Sequence, residues 1–228
     1  MSDDGRGGTA GGSAGDGQDR VSRAMLACPR TGFLRRHERR RAHEDRPLPI
    51  GHGQTSSQPS TVARMLRELD VPVGARVLDV GSGSGWTTAL LAHLVGPRGV
   101  VVGVELEPEL VAWGGANVAA TDQPWARVLP ARPGALGWPE EAPFDRVLVS
   151  AEASELPTAL VEQLAVAGRM VVPVRGEMLT IDRTGSADGT AAAGDTGTAP
   201  SGGPGDAGTT APGITVRRHG TYRFVPLR

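Results

Sequence analysis

Cysteine is almost absent from this chain. Cys28 is the only one in 228 residues, so no disulfide framework holds the fold and a reducing compartment is expected. Long apolar runs are missing too. No stretch approaches the roughly 20 residues that cross a bilayer, and the amino terminus carries no signal-like hydrophobic segment. An excess of either charge sign is also lacking: the formal net charge of -1 argues against broad attraction to nucleic acid or to an anionic membrane. A cytoplasmic monomer with neither kind of partner is expected.

What is present is distributed unevenly. Residues 1–18, and the span from about 185 to 213, are dominated by Gly, Ala, Ser, Thr, Asp and Pro. Such segments bury too little apolar surface to offset chain ordering, so a disordered tail and a flexible internal insertion are expected. The remainder of residues 19–228 forms one domain, with ample chain for a single core.

Its pattern alternates helix and strand, which calls for an α/β fold with a mostly parallel central sheet and helices on both faces. A short helix is expected over Val21 to Leu26. Pro59 to Leu69 places Val62, Met65, Leu66 and Leu69 on one helical face behind a proline in the first turn. Strands are expected at Arg76 to Val80, Val100 to Val104, Arg127 to Leu129, Phe144 to Ser150, Arg169 to Val174, Met178 to Ile181 and Thr221 to Leu227. Helices are expected at Thr87 to Val95, Glu107 to Val118 and Leu156 to Leu164.

The most informative stretch is Val77-Leu78-Asp79-Val80-Gly81-Ser82-Gly83-Ser84-Gly85-Trp86, an apolar strand running into a glycine turn and a helix. Gly81, Gly83 and Gly85 let the backbone pass close to a ligand. A dinucleotide fingerprint would instead place G-x-G-x-x-G here, and Asp79 would repel a pyrophosphate. Glu105, at the end of the next strand, is a carboxylate able to hold a ribose diol. A ligand carrying a cationic amino group, a sulfonium and a ribose suits Asp79 and Glu105 together, and S-adenosyl-L-methionine is such a ligand.

Upstream lies Pro47-Leu48-Pro49-Ile50-Gly51-His52-Gly53-Gln54-Thr55-Ser56-Ser57-Gln58-Pro59, rich in turn formers and hydroxyls. It reads as a loop feeding a helix that Ser56 or Ser57 can cap. His52, with no carboxylate near it in sequence, reads as polar surface. The cluster Arg35-Arg36-His37-Glu38-Arg39-Arg40-Arg41 has interleaved acids and no aromatic platform, so it reads as a solvated face.

The segment from Ala42 through Pro59 resembles the protein-L-isoaspartate O-methyltransferases, which typically carry isoleucine where this chain has Ser56. The resemblance continues through Val77 to Gly85, Glu105, Pro143 to Val147, Leu156-Pro157, Gln163-Leu164, Gly168 to Val174 and Arg223 to Leu227. It implies a Rossmann-like class I methyltransferase that transfers methyl from S-adenosyl-L-methionine to the free α-carboxylate of isoaspartyl residues in proteins or peptides. It further implies that Ser57 is the catalytic hydroxyl orienting that carboxylate, with Gln54 and Thr55 shaping the same loop. Asp79, Gly81, Ser82, Gly83, Gly85, Glu105 and Gly134 are expected to bind the cofactor, Trp86 to cover its methionine end, and no metal is needed.

The chain departs from the family in three places. Pro133 stands where an acid would contact the adenine amino group; one lost hydrogen bond costs about 0.5–1.5 kcal/mol, a loss that cofactor binding survives. Gly134 and Trp138 are left to wall the adenine. A glycine-rich tail replaces the usual first helix, and residues 187–212 enlarge a loop. These departures keep two alternatives open: a carboxyl methyltransferase for an aspartate in a dedicated peptide, and a non-catalytic relative that binds the cofactor without turnover.

Overall fold

The computed structural model describes residues 14–185, 209–211 and 213–227. Its centre is a sheet of eight strands among the described residues: β3 (Arg76–Val80), β4 (Val100–Glu105), β5 (Ala126–Pro130), β6 (Phe144–Val149), β7 (Leu164–Val174), β8 (Glu177–Arg183), β9 (Thr209–Ala211) and β10 (Ile214–Thr221). Their order across the sheet is β5-β4-β3-β6-β7-β8-β10-β9. From β5 to β7 all neighbours pair in parallel, and from β7 onward they pair antiparallel.

Side chains alternate across this sheet as the two-residue period requires. Val77, Val101, Leu148, Val171 and Met178 face α1 (Ala14–Ala27), α2 (Pro59–Leu69) and α3 (Trp86–Val95). Leu78, Val102, Val147, Met170 and Ile181 face the opposite way, into a core shared with Phe144, Trp138 and Leu160 of α5 (Thr158–Glu162). The helix α4 (Pro108–Ala119) supplies the crossover between β4 and β5. The chain turns from β3 toward β4 and β5 on one side and later toward β6 on the other. That reversal opens a crevice at the carboxyl ends of β3 and β6.

Several boundaries differ from the sequence reading. The helix expected over Val21 to Leu26 starts at Ala14, inside the span expected to be a disordered tail, while residues 1–13 lie outside the described residues. Val21 and Ala24 bury against the α2 and α3 side chains, so packing extends a helix that composition disfavours. Within the expected insertion, residues 186–208 and 212 lie outside the described residues, but Thr209–Ala211 adds a strand to β10. The helix expected over Leu156 to Leu164 is shortened to Thr158–Glu162, because Pro157 sets its start and Leu164 already belongs to β7.

The last strand is Ile214–Thr221, ahead of the expected Thr221 to Leu227. Its register shifts between Arg218 and Thr221, and Tyr222 N–H then bonds Gly176 O at 2.7 Å across the β7–β8 turn. The segment beyond leaves the sheet. Glu152 N–H bonds Val225 O at 2.7 Å and Leu227 N–H bonds Glu152 O at 2.8 Å, which pins the chain's end beside the crevice.

Residues expected to form a plain loop fold instead as a hairpin, β1 (Leu48–Gly51) and β2 (Gln54–Ser56), turning through Gly51, His52 and Gly53. All three turn residues have positive φ, which two glycines adopt freely. Leu48 and Ile50 point inward and bury with Leu34 and Leu110, giving the hairpin an apolar anchor. Neither Ser56 nor Ser57 caps α2. Pro59 opens the helix without an N–H, and the Asp45 carboxylate accepts the Ser60 N–H at 2.9 Å.

Candidate active site

The crevice is a cavity of about 450 Å³, within the size range of small-molecule sites. Five groups of residues enclose it. The glycine turn contributes Gly81, Ser82, Gly83 and Ser84; the end of β4 contributes Glu105, Leu106 and Glu107. The loop after β5 contributes Ala131 to Gly137, and the hairpin contributes Ile50, Gln54, Thr55, Ser56 and Ser57. Ser150, Ala151 and the pinned segment Val225 to Leu227 close the remaining side.

The glycine turn is held by the strand beside it. Gly81 and Ser82 N–H groups both bond Val104 O, at 2.9 and 3.1 Å. Gly83 N–H donates to Glu105 Oε2 at 2.8 Å, and Glu105 Oε1 accepts the Leu106 and Glu107 N–H groups at 2.7 and 3.0 Å. Glu105 is thus preset at 7 % exposure, with a lone pair on Oε2 left for a ligand hydroxyl. A Cβ on Gly83 would lie 3.0 Å from Ile50 Cδ1, so the hairpin packs directly onto the turn.

Two expected cofactor residues do not line the cavity. Asp79 is fully buried beneath the turn, where its Oδ2 accepts the Thr87 and Thr88 hydroxyls at 2.7 Å each. It faces α3 because its neighbours Leu78 and Val80 fill the opposite side of the sheet. Gly85 is a packing glycine: at φ +82 it precedes α3, and a Cβ there would lie 2.7 Å from Gly114 O and from Val118 Cγ2. Trp138 also lies outside the cavity lining; it is buried in the sheet's other core, with its Nε1–H donating to Glu141 at 3.1 Å.

Burial pushes the Asp79 carboxyl up to about 6; the threonine hydroxyls oppose this and the charge of Glu105 adds to it. The folded value lies above the ordinary 3.8, so the stability this group contributes is full below 3.8 and is lost as pH rises through about 6. Asp79→Asn is expected to flatten that limb of the profile, removing a fall on the order of 2 kcal/mol between about pH 4 and pH 7. Urea denaturation of both proteins across this range checks it, and parallel profiles would mean that Asp79 is already ionised in acid.

Ser82, expected from the sequence, and Ser150, which the sequence pattern does not single out, both line the cavity. Their Oγ atoms are both buried, and neither has a hydrogen-bond partner among the described residues; the same holds for Asp79 Oδ1. Buried polar atoms are rarely left unpaired; the Ser82 hydroxyl packs against β4, 3.3 Å from where a Cβ on Gly103 would lie, and Asp79 sits beneath the turn, outside the cavity lining. The loop after β5 walls the cavity with Pro133, Gly134, Ala135 and Leu136, and Gln163 fixes it by accepting Trp138 N–H at 2.8 Å and donating to Leu136 O at 2.7 Å. Arg132 is committed elsewhere, stacked 4.5 Å from the Trp138 ring centre and paired with Glu140 at 2.8 Å.

The hairpin wall presents Ser57, whose hydroxyl makes no hydrogen bond among the described residues. His52, expected to be unpartnered surface, meets Glu109 at 3.0 Å and Glu107 at 3.9 Å, because the hairpin carries its tip over the start of α4. Trp86 lines the cavity and donates its Nε1–H to Cys28 O at 2.9 Å. The arginine cluster is on the surface but partly engaged: Arg35 stacks 3.8 Å from the Trp113 ring centre, and Arg41 pairs with Glu38 and Glu44.

These residues suit S-adenosyl-L-methionine. Glu105 offers a ribose acceptor, the loop after β5 a largely apolar wall, and the glycine turn a close approach of backbone to the ligand.

A sequence profile of the protein-L-isoaspartate(D-aspartate) O-methyltransferases matches residues 14–192. A protein-L-isoaspartate O-methyltransferase of Aeropyrum pernix is 48 % identical over 155 residues, 68 % of this chain and 60 % of that protein. The chain therefore matches less than two thirds of that relative's length. One from Methanopyrus kandleri is 39 % identical over 214 residues, 92 % of this chain and 83 % of that protein. A Plasmodium falciparum beta-aspartate methyltransferase in complex with S-adenosyl-L-homocysteine superposes with a TM-score of 0.70 at 26 % identity, covering 92 % of this chain and 90 % of that one.

Proposed function

We propose, for a chain that belongs to the protein-L-isoaspartate(D-aspartate) O-methyltransferase family, that it methylates the free α-carboxylate of isoaspartyl residues in damaged proteins. One observation carries the reading: a single cavity has preset Glu105 and the glycine turn on one wall and the unengaged hydroxyl of Ser57 on another.

Bound S-adenosyl-L-methionine supplies an electrophilic methyl on a sulfonium. The substrate carboxylate ordinarily titrates at about pH 4 and is ionised near neutrality, so this chain needs no general base. Its task is alignment and exclusion of water. Ser57 donates its hydroxyl to one carboxylate oxygen and so directs the other at the methyl carbon. The bound cofactor would supply the methyl and keep the C–S electron pair on sulfur, so the residues of this chain would have no proton to move. Methoxide leaves an ester far more readily than oxide leaves a carboxylate, so the neighbouring amide nitrogen attacks the ester carbonyl and closes a succinimide with loss of methanol; hydrolysis of that ring returns part of the chain to normal aspartate.

Glu105 holds the ribose and the segment Pro133 to Leu136 covers the adenine. Among the described residues no helix is long and apolar enough to cross a membrane, and the buried, unpaired Cys28 suits a reducing cytoplasm. The test is transfer of labelled methyl to a short isoaspartyl peptide, with the normal aspartyl peptide as control. Label on the isoaspartyl form alone is the expected result. Label on neither, with cofactor still bound, would replace this reading with a dedicated peptide substrate.

A further inference from the structure

Arg30 is 4 % exposed, an uncommon place for a guanidinium, and it is surrounded by oxygen acceptors. Its Nη2 donates to Ser56 O at 2.8 Å and to Arg46 O at 2.9 Å, its Nη1 to Glu44 O at 3.1 Å, and its Nε to Ser56 Oγ at 3.1 Å. The guanidinium also lies 5.6 Å from the ring centre of Trp86, which lines the cavity. One planar group thus joins the segment before the hairpin, the end of β2 and the cofactor wall.

We propose that Arg30 is a positioning residue for methyl transfer, acting through Ser56 to set the direction of the Ser57 hydroxyl. The inference rests on the function proposed above. The Ser56 carbonyl belongs to the peptide unit that carries the Ser57 N–H, so holding Ser56 O holds the plane from which the Ser57 side chain departs. Ser57 itself has no hydrogen bond among the described residues to fix it. Its placement therefore follows the Ser56 backbone, which Arg30 holds on one side and the pairing with Leu48 holds on the other. A lysine at this position is a single point donor on a flexible stem and cannot span acceptors on Glu44, Arg46 and Ser56 together.

The test compares wild type with Arg30→Lys, Arg30→Ala and Ser56→Ala in three measurements: kcat and KM with an isoaspartyl peptide, S-adenosyl-L-homocysteine affinity by calorimetry, and amide hydrogen exchange. Displacement of a reacting group by about 1 Å costs on the order of a hundredfold, so Arg30→Lys is expected to lower kcat by at least about tenfold. Cofactor affinity should stay within about twofold, with exchange accelerated in residues 48–58 and unchanged in β3 and α3. Ser56→Ala keeps three of the four bonds and should lower kcat less. Added methylguanidinium should restore part of the turnover of Arg30→Ala, whereas methylammonium should not. Unchanged kcat in Arg30→Lys would overturn the proposal, as would a kcat loss matched by equal loss of cofactor affinity. If Arg30→Ala does not fold, Arg30→Lys and Ser56→Ala decide. If wild type binds S-adenosyl-L-homocysteine but methylates no isoaspartyl peptide, the functional reading fails and exchange decides the role of Arg30: unchanged protection of residues 54–58 in Arg30→Lys overturns it.

Discussion

Replacing Ser57 with alanine is expected to lower kcat for an isoaspartyl peptide by about a hundredfold while S-adenosyl-L-homocysteine affinity stays within about twofold. The reason lies in where the hydroxyl stands. Ser57 is on the hairpin side of the cavity, whereas Glu105 and the glycine turn form the wall proposed above to hold the cofactor. An ionised carboxylate needs no proton removed, so the barrier reflects how well its oxygen is aligned with the methyl carbon and how completely water is excluded. Removing the hydroxyl frees the carboxylate to rotate without disturbing the nucleoside. Steady-state kinetics beside calorimetry separate the two effects. Equal turnover in variant and wild type would take Ser57 out of the mechanism.

The second large effect is expected for Glu105→Ala, which should weaken S-adenosyl-L-homocysteine binding by about a hundredfold or more. Hydrogen bonds to a charged group contribute about 1.5–3 kcal/mol each, so loss of a ribose contact together with the preset turn reaches that factor. The carboxylate accepts N–H groups from Gly83, Leu106 and Glu107, so its removal also leaves backbone donors of the cavity wall without their partner. Glu105→Gln should fall between, because its amide keeps one acceptor oxygen but turns N–H against at least one of those donors. Calorimetric titration checks the series. An alanine variant binding as tightly as wild type would place the ribose away from Glu105.

Much of the fold is legible in the residue pattern alone. The alternation of Val77 and Leu78, Val101 and Val102, and Val147 and Leu148 requires strands buried on both faces, and the run of short strands separated by helical segments requires crossovers. The turn at Gly81 to Gly85 and the acid at Glu105 are recognisable because their spacing is local: one strand, one turn, one helix and the next strand end. Expectations fail where the deciding contact is distant in sequence. Composition makes residues 1–18 look unable to fold, yet the helix from Ala14 forms because α2 and α3 offer it a surface. The polar segment before α2 looks like a loop, and becomes a hairpin because Leu48 and Ile50 find Leu34 and Leu110.

Residue pattern alone specifies what this chain can offer: a mostly parallel α/β sheet, a glycine turn able to approach a ligand, a carboxylate at the end of the next strand and a hydroxyl-rich segment upstream. Packing between elements selects which of these groups reach the cavity. It turns Asp79 inward to Thr87 and Thr88, sets Gly85 against α4, and gathers carbonyls from Glu44, Arg46 and Ser56 around Arg30. The physical reason is that residue type and short-range period specify which face of an element a side chain takes. What that face meets depends on packing between elements far apart in the chain, where a buried charge must find its partners or shift its titration.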